Sequence, residues 1–135
     1  MSELTIGQRE RMTQDRLVKL FKTKLDYMYL GNWEERENNS NVEEELVRKF
    51  LKKQKYSETL INKALHELTK LASNQVKSLY DINKEVYTLL RYGAKVKESI
   101  EENKQDVFFI DWDEPLNNDF YIAEEVTVAG QHQKR

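Results

Sequence analysis

Cysteine is absent from this sequence, and proline, histidine and glycine are scarce, at one, two and four residues. Without cysteine there is no disulfide, no thiolate-bound metal and no cysteine nucleophile, which suits a reducing cytoplasm. The glycines at 7, 31, 93 and 130 are scattered, and no G-x-x-x-x-G-K-[ST] pattern occurs. Nucleotide binding by this chain is therefore not expected. His66 has no second histidine three or four residues away, and His132 lies in a polar stub, so both read as surface residues rather than metal ligands. No Ser–His–Asp set suggests itself. No apolar run approaches the roughly 20 residues that span a bilayer. The opening MSELTIGQRERM lacks the hydrophobic segment of a secretory leader.

What remains is a charge-rich chain of one-domain size. Its 135 residues are 39% hydrophobic and 34% charged, where about a quarter charged is usual. That mixture favours amphipathic helices with wide solvated faces. The net charge of −2 conceals an asymmetry: residues 1–100 sum to +4 and residues 101–135 to −6. Such a chain is not a simple polycationic nucleic-acid binder.

Hydrophobic spacing predicts four helices. The first begins with Thr13 as N-cap and presents Leu17, Leu20 and Phe21, with Lys24, on one face. Residues 1–12 are expected to be flexible. An aromatic cluster of Tyr27, Tyr29 and Trp33 and a polar loop follow. Ser40 and Glu43 form a capping-box pattern ahead of a stripe of Val42, Leu46, Val47, Phe50 and Leu51. Ser57 caps a third helix with an apolar face of Leu60, Ile61, Ala64, Leu65, Leu68 and Leu71. The fourth runs from about Val76 to Tyr92 through Leu79, Tyr80, Val86, Tyr87, Leu89 and Leu90, and Gly93 terminates it.

Beyond these helices, which occupy 13–93, the period changes. VFFIDW is aromatic and β-branched, and Phe120–Val128 alternates, with Phe120, Ile122, Val126 and Val128 on one side and Glu124 interrupting them. DEPLNN between them carries turn chemistry. The expectation is an α+β single partial domain: four helices, then a two-stranded antiparallel ribbon over 106–129 and a tail at 130–135. An isolated two-stranded ribbon is marginal in water, so it must pack on helices or gain further strands.

Two constellations could carry chemistry. Asp111, Asp113, Glu114, Asp119, Glu124 and Glu125 concentrate oxygen ligands of the kind Mg²⁺ prefers. A solvated hairpin whose charges discourage edge aggregation explains the same density, and is the preferred reading. The basic run of Lys49, Lys52, Lys53 and Lys55 could touch phosphate, although the solvated end of a helix is the commoner origin of such a run.

Three blocks carry a resemblance. YLGNWEERENNSNVEEELVRKFLKKQKYSETLINKAL, LYDINKEVYTLLRYGAKVK and FIDWDEPLNNDFYIAEEVTVAG resemble, in order and spacing, the N-terminal region of the R (restriction and translocation) subunit of type I restriction–modification enzymes. The likeness covers about Thr13 to Arg135. It implies a PD-(D/E)xK restriction-endonuclease-like domain whose catalytic Asp follows a Pro after the stretch equivalent to GQHQKR, with Glu-x-Lys on the next strand. In that family two carboxylates hold Mg²⁺ at the scissile phosphate and the Lys helps position the attacking water. A helicase-type motor further along uses ATP to translocate DNA.

On this resemblance none of the family's catalytic residues falls within 1–135, and the chain is expected to be inert as an endonuclease by itself. No cofactor is expected in the chain, whereas Mg²⁺ and ATP are implied for the complete subunit. The implied partners are DNA and the methylation and specificity subunits, with no membrane and no small-molecule substrate. Related nuclease folds often place an acidic residue on the helix before the sheet, where it assists metal binding. Glu85 is the candidate, its alternative role being an exposed helical glutamate paired with Lys84 or Lys95. A different class of function is also open, a small helical module that docks on restriction–modification subunits through the edge of its ribbon.

Overall fold

A computed structural model of the chain describes residues 3–128. Over these residues the protein is α+β, with four helices, one antiparallel strand pair and one parallel pair. Its contacts divide it into two compact units, residues 3–39 with 119–127, and residues 40–118 with 128.

The first unit opens with α1, Ile6–Thr23. Thr5 caps it: the Thr5 hydroxyl accepts from Gln8 N–H at 3.1 Å, and Gln8 Oε1 accepts from Thr5 N–H at 2.8 Å. This reciprocal box satisfies two otherwise orphaned donors, so the cap lies eight residues before the predicted Thr13 and residues 6–12 are helical. The hydrophobic stripe missed this start because the first two turns are polar, held instead by pairs such as Arg11–Asp15 at 3.1 Å. The face is also rotated from expectation. Gln14, Val18 and Phe21 are half-buried, whereas Leu17 and Leu20 are exposed.

Asp26, at φ 56°, turns the chain out of the helix, and Tyr27 packs edge-on against Phe21. Strand β1, Met28–Asn32, follows. Strand β4, Tyr121–Glu124, lies beside it in parallel, Met28 opposite Tyr121 and Asn32 opposite Glu124. The register slips between Tyr29 and Gly31. Gly31 absorbs the slip at φ 108°, a conformation that favours glycine. Asn39 closes the unit, its amide donating to the carbonyls of Arg36 and Thr127 at 3.3 and 3.0 Å.

The second unit holds α2 (Glu44–Lys53), α3 (Glu58–Ala72) and α4 (Leu79–Tyr92). It also holds the hairpin strands β2 (Ala94–Val96) and β3 (Gln105–Val107). Ser57 caps α3 as predicted, accepting from Leu60 N–H at 3.2 Å. Ser40 does not cap α2. Its hydroxyl donates to the Val42 carbonyl at 2.6 Å, and the helix begins at Glu44 with Glu44 and Glu45 in the first turn, where the helix dipole favours acidic side chains. Helix α4 starts at Leu79, capped by Ser78, three residues after the expected Val76.

Buried side chains of α2 and α3 (Phe50, Leu51, Leu60, Ile61, Ala64, Leu65 and Leu68) meet Leu89, Ala94, Val96, Val107 and Phe109. Leu51, Ile61 and Val107 are fully buried. The stripes predicted for α2 and α3 thus form the core, but α4 contributes less than expected. Leu89 is buried and Val86 and Leu90 pack on the core, while Leu79, Tyr80 and Tyr87 are exposed.

The predicted ribbon pairing is corrected. Residues 107–112 do not pair with 120–128. The antiparallel pair joins 94–96 to 105–107, and 121–124 pairs with 28–32. Val107 and Phe109 turn into the core of the second unit. The chain then enters a fastened loop rather than a hairpin turn. Asp111 Oδ1 accepts from the N–H groups of Asp113 and Glu114 at 3.2 and 2.9 Å, Asn117 donates to its Oδ2, and a 3₁₀ turn spans Pro115–Asn117. Glu125, at φ 54°, ends β4 before the predicted alternation is complete.

Candidate nucleic-acid interface

The acidic residues near the C-terminus do not act as one group. Asp111 fastens the loop just described, and its carboxyl titrates below the usual carboxylate range, chiefly because the Glu114 N–H and then the Asn117 amide donate to it. Glu124 belongs to the other unit. Its side chain is 5% exposed, a poor setting for a carboxylate unless donors surround it. They do: the Tyr29 hydroxyl donates to Oε2, Gln14 Nε2 donates to Oε1 at 2.9 Å, and Arg11 stands 3.6 Å from Oε1. These hydrogen bonds, Tyr29's first, hold the Glu124 pKa below its ordinary value, and the same contact pushes the Tyr29 pKa up. The solvated-hairpin reading therefore fails at Glu124, a structural anchor joining α1, β1 and β4.

Glu85 lies on α4 and pairs with Lys77, Oε1 to Nζ at 2.6 Å. Its Oε2 is shielded from solvent and has no hydrogen-bond partner among the described residues. Both residues line a hollow of about 540 Å³ with Leu71, Asp81, Lys84 and Thr88. Lys77, rather than the Lys84 or Lys95 suggested by sequence proximity, is the lysine that Glu85 meets.

The contiguous basic run is partly committed elsewhere. Lys52 pairs with Glu58 at 3.2 Å, and Lys53 donates to the Asn117 carbonyl at 2.9 Å while sitting over the Phe50 ring. A different basic surface arises from residues distant in sequence. A groove of about 450 Å³ is lined by Asn62, Lys63, His66 and Glu67 of α3, by Lys95, Val96 and Lys97 at β2, and by Lys104 ahead of β3. Burial of Ala94 and Val96 turns Lys95 outward, and across the hairpin it meets Asp106 at 2.6 Å. Lys63 Nζ donates to the Lys97 carbonyl at 2.5 Å, tying α3 to the hairpin. His66 is exposed on this rim, as expected of a surface histidine. His132 lies outside the described residues.

Comparison with known families gives a match to the type I restriction enzyme R protein N terminus over residues 7–135. The chain belongs to this family. No curated protein and no solved structure matches it.

An R-protein N terminus raises the question of Mg²⁺, which prefers several oxygen ligands. Among the described residues no group of three or more His, Asp or Glu side chains is placed to hold a metal ion. Near Glu85 the second acid in the hollow is Asp81. No helix among the described residues is long and apolar enough to cross a membrane.

Sequence reasoning missed both the Glu124 anchor and the groove. Glu124 had a readable signal, since an acid at an inward-facing position of an alternating strand needs buried donors. The groove had none, because Lys63, Lys97 and Lys104 form no local pattern.

Proposed function

We propose that this chain is the opening part of the DNA-cleaving region of a type I restriction enzyme R subunit, a subunit that when complete translocates DNA with ATP and cuts both strands with Mg²⁺. The family match over residues 7–135 carries this reading. The resemblance supports a division of labour: this region builds the helical platform and the first strands, while the PD-(D/E)xK side chains that hold Mg²⁺ and position water come from sequence after GQHQKR. A metal role for Glu85 then requires ligands from outside the described residues. DNA and the methylation and specificity subunits are the partners of the complete subunit.

The test compares two proteins. A full R subunit carrying this N terminus, assembled with methylation and specificity subunits, is expected to cut unmodified plasmid only when Mg²⁺ and ATP are both present. The 135-residue chain alone is expected to leave the same plasmid intact. Metal-dependent cutting that stays with the purified chain through denaturation and refolding would overturn the reading. Capture of the methylation and specificity subunits by the isolated chain, without any role in cleavage, would favour the docking module instead.

A further inference from the structure

We infer that the groove between α3 and the β2–β3 hairpin is a sequence-independent contact for the phosphate backbone of duplex DNA, made chiefly by Lys97 and Lys104 with Lys63 in support. This rests on the reading of the chain as part of a DNA-cleaving subunit and adds where on its surface the backbone lies.

Charge is segregated at this groove. The chain as a whole is net negative, yet this groove gathers four lysines against one glutamate. The acids of the same hairpin turn, Glu98, Glu101 and Glu102, do not line it. Like charges brought together repel, and an anion in the groove relieves that repulsion.

Two of the four lysines are uncommitted. Lys95 is answered by Asp106. Lys63 donates a hydrogen bond to the Lys97 carbonyl, which holds the backbone at Lys97 against α3 while the Lys63 charge stays in the groove. Lys97 and Lys104 are exposed, and neither forms an ion pair or side-chain hydrogen bond among the described residues. Their ammonium groups are mobile point charges, suited to phosphate oxygens and poorly suited to reading base edges.

The shape of the groove fits the same ligand. The lining comes from a helix flank on one side and from both arms of a hairpin on the other. No helix N-terminus or glycine loop contributes to it, so the groove lacks the converging backbone donors that define a pocket for a single phosphate. Lysines spread along two elements match a charged strand that passes over them.

The experiment measures binding of the 135-residue chain to a fluorescent duplex of arbitrary sequence across a salt series. Binding is expected to weaken linearly in log–log form as salt rises. Lys97→Ala with Lys104→Ala is expected to reduce that slope by about 1 for each lysine removed. Lys49→Ala with Lys55→Ala, an equal charge change elsewhere, is expected to leave the slope unchanged, and matching melting curves confirm that both variants fold. Equal losses in the two double variants would show that net charge alone drives binding and would overturn the inference. So would displacement of the duplex by inorganic phosphate at constant ionic strength, or no binding at low salt. These outcomes leave the cleavage test of the complete subunit untouched, so the two readings fail separately.

Discussion

The Tyr29 hydroxyl, on β1, donates to Oε2 of Glu124 on the parallel strand β4, while Gln14 of α1 holds Oε1 at 2.9 Å. One buried carboxylate thereby ties a helix and two strands whose residues are 95 and 110 positions apart in sequence. Tyr29→Phe leaves Oε2 without its donor while the ring still fills its place. The expected result is an upward shift of the Glu124 titration toward the ordinary glutamate range, with a lower urea midpoint for the first unit. Glu124→Gln keeps an acceptor for Tyr29 and should lose less than Glu124→Ala. Side-chain carboxyl chemical shifts followed against pH check this, and an unmoved Glu124 titration in Tyr29→Phe would sink it.

Glu124 and Tyr29 in the first unit and Asp111 in the second set a pH dependence with two limbs. Glu124 and Asp111 titrate below their usual range in the folded chain. The unfolded chain therefore binds protons more readily, and the stability these groups supply above about pH 4.3 is lost as pH falls through their folded values. Tyr29 acts in the opposite direction. Its folded pKa lies above the usual value of about 10, so its contribution is complete below pH 10 and is lost as pH rises through the folded value. Urea midpoints should form a plateau between about pH 5 and 9 and decline on both sides. Glu124→Ala, which takes away the acceptor of the Tyr29 hydroxyl, is expected to remove most of the alkaline limb and to shorten the acid one. An alkaline limb of full size in that variant would contradict the assignment.

The contrast between Ser57 and Ser40 shows how much was legible in the sequence. Both precede an apolar stripe, and Ser40 also has Glu43 three residues on, yet Ser57 is the cap. Ser40 bonds within its own loop, a competing local hydrogen bond that a pattern match does not price in. The stripes of α2 and α3 were readable because helical burial depends on residues three and four apart. The partner of β4 was not, since alternation identifies a strand but says nothing of a parallel neighbour some 90 residues away. The same holds for the groove. The closely spaced lysines of 49–55 are visible in the sequence, but Lys52 and Lys53 serve Glu58 and Asn117, whereas Lys63, Lys97 and Lys104 come to one groove only through the fold. Ser57→Ala should cost about 1 kcal/mol and Ser40→Ala clearly less, as measured by urea unfolding of the second unit.

Gly93 and Gly7 should respond oppositely to alanine. Gly93 ends α4 at φ 84° and ψ 164°, a region that is essentially reserved for glycine. A Cβ there would also stand 3.1 Å from the Val107 carbonyl oxygen and 3.2 Å from the Phe108 ring. Gly93→Ala is expected to cost about 1–3 kcal/mol from backbone strain. Gly7 lies in the first turn of α1 with open space around it, so Gly7→Ala should stabilise the helix by up to about 1 kcal/mol. Urea titrations at constant m-value separate the two, and a neutral Gly93→Ala would mean that the chain end of α4 adopts another path.

Hydrogen exchange should divide the helices by what they bury. Helix α3 places Leu60, Ile61, Ala64, Leu65 and Leu68 in the core, whereas no residue of α1 is buried. Amides of α3 therefore open only with the whole core of the second unit, and those of α1 open in cheaper, local events. Leu51→Ala sharpens the test. Leu51 is fully buried on α2, so its truncation removes apolar contacts and leaves a cavity, a loss of about 2–5 kcal/mol. The core it enters is formed entirely by residues of the second unit. Protection of α3 should fall by that amount in Leu51→Ala, while exchange in α1 and β1 stays as it was. An equal fall in α1 would show instead that both units open in a single cooperative step.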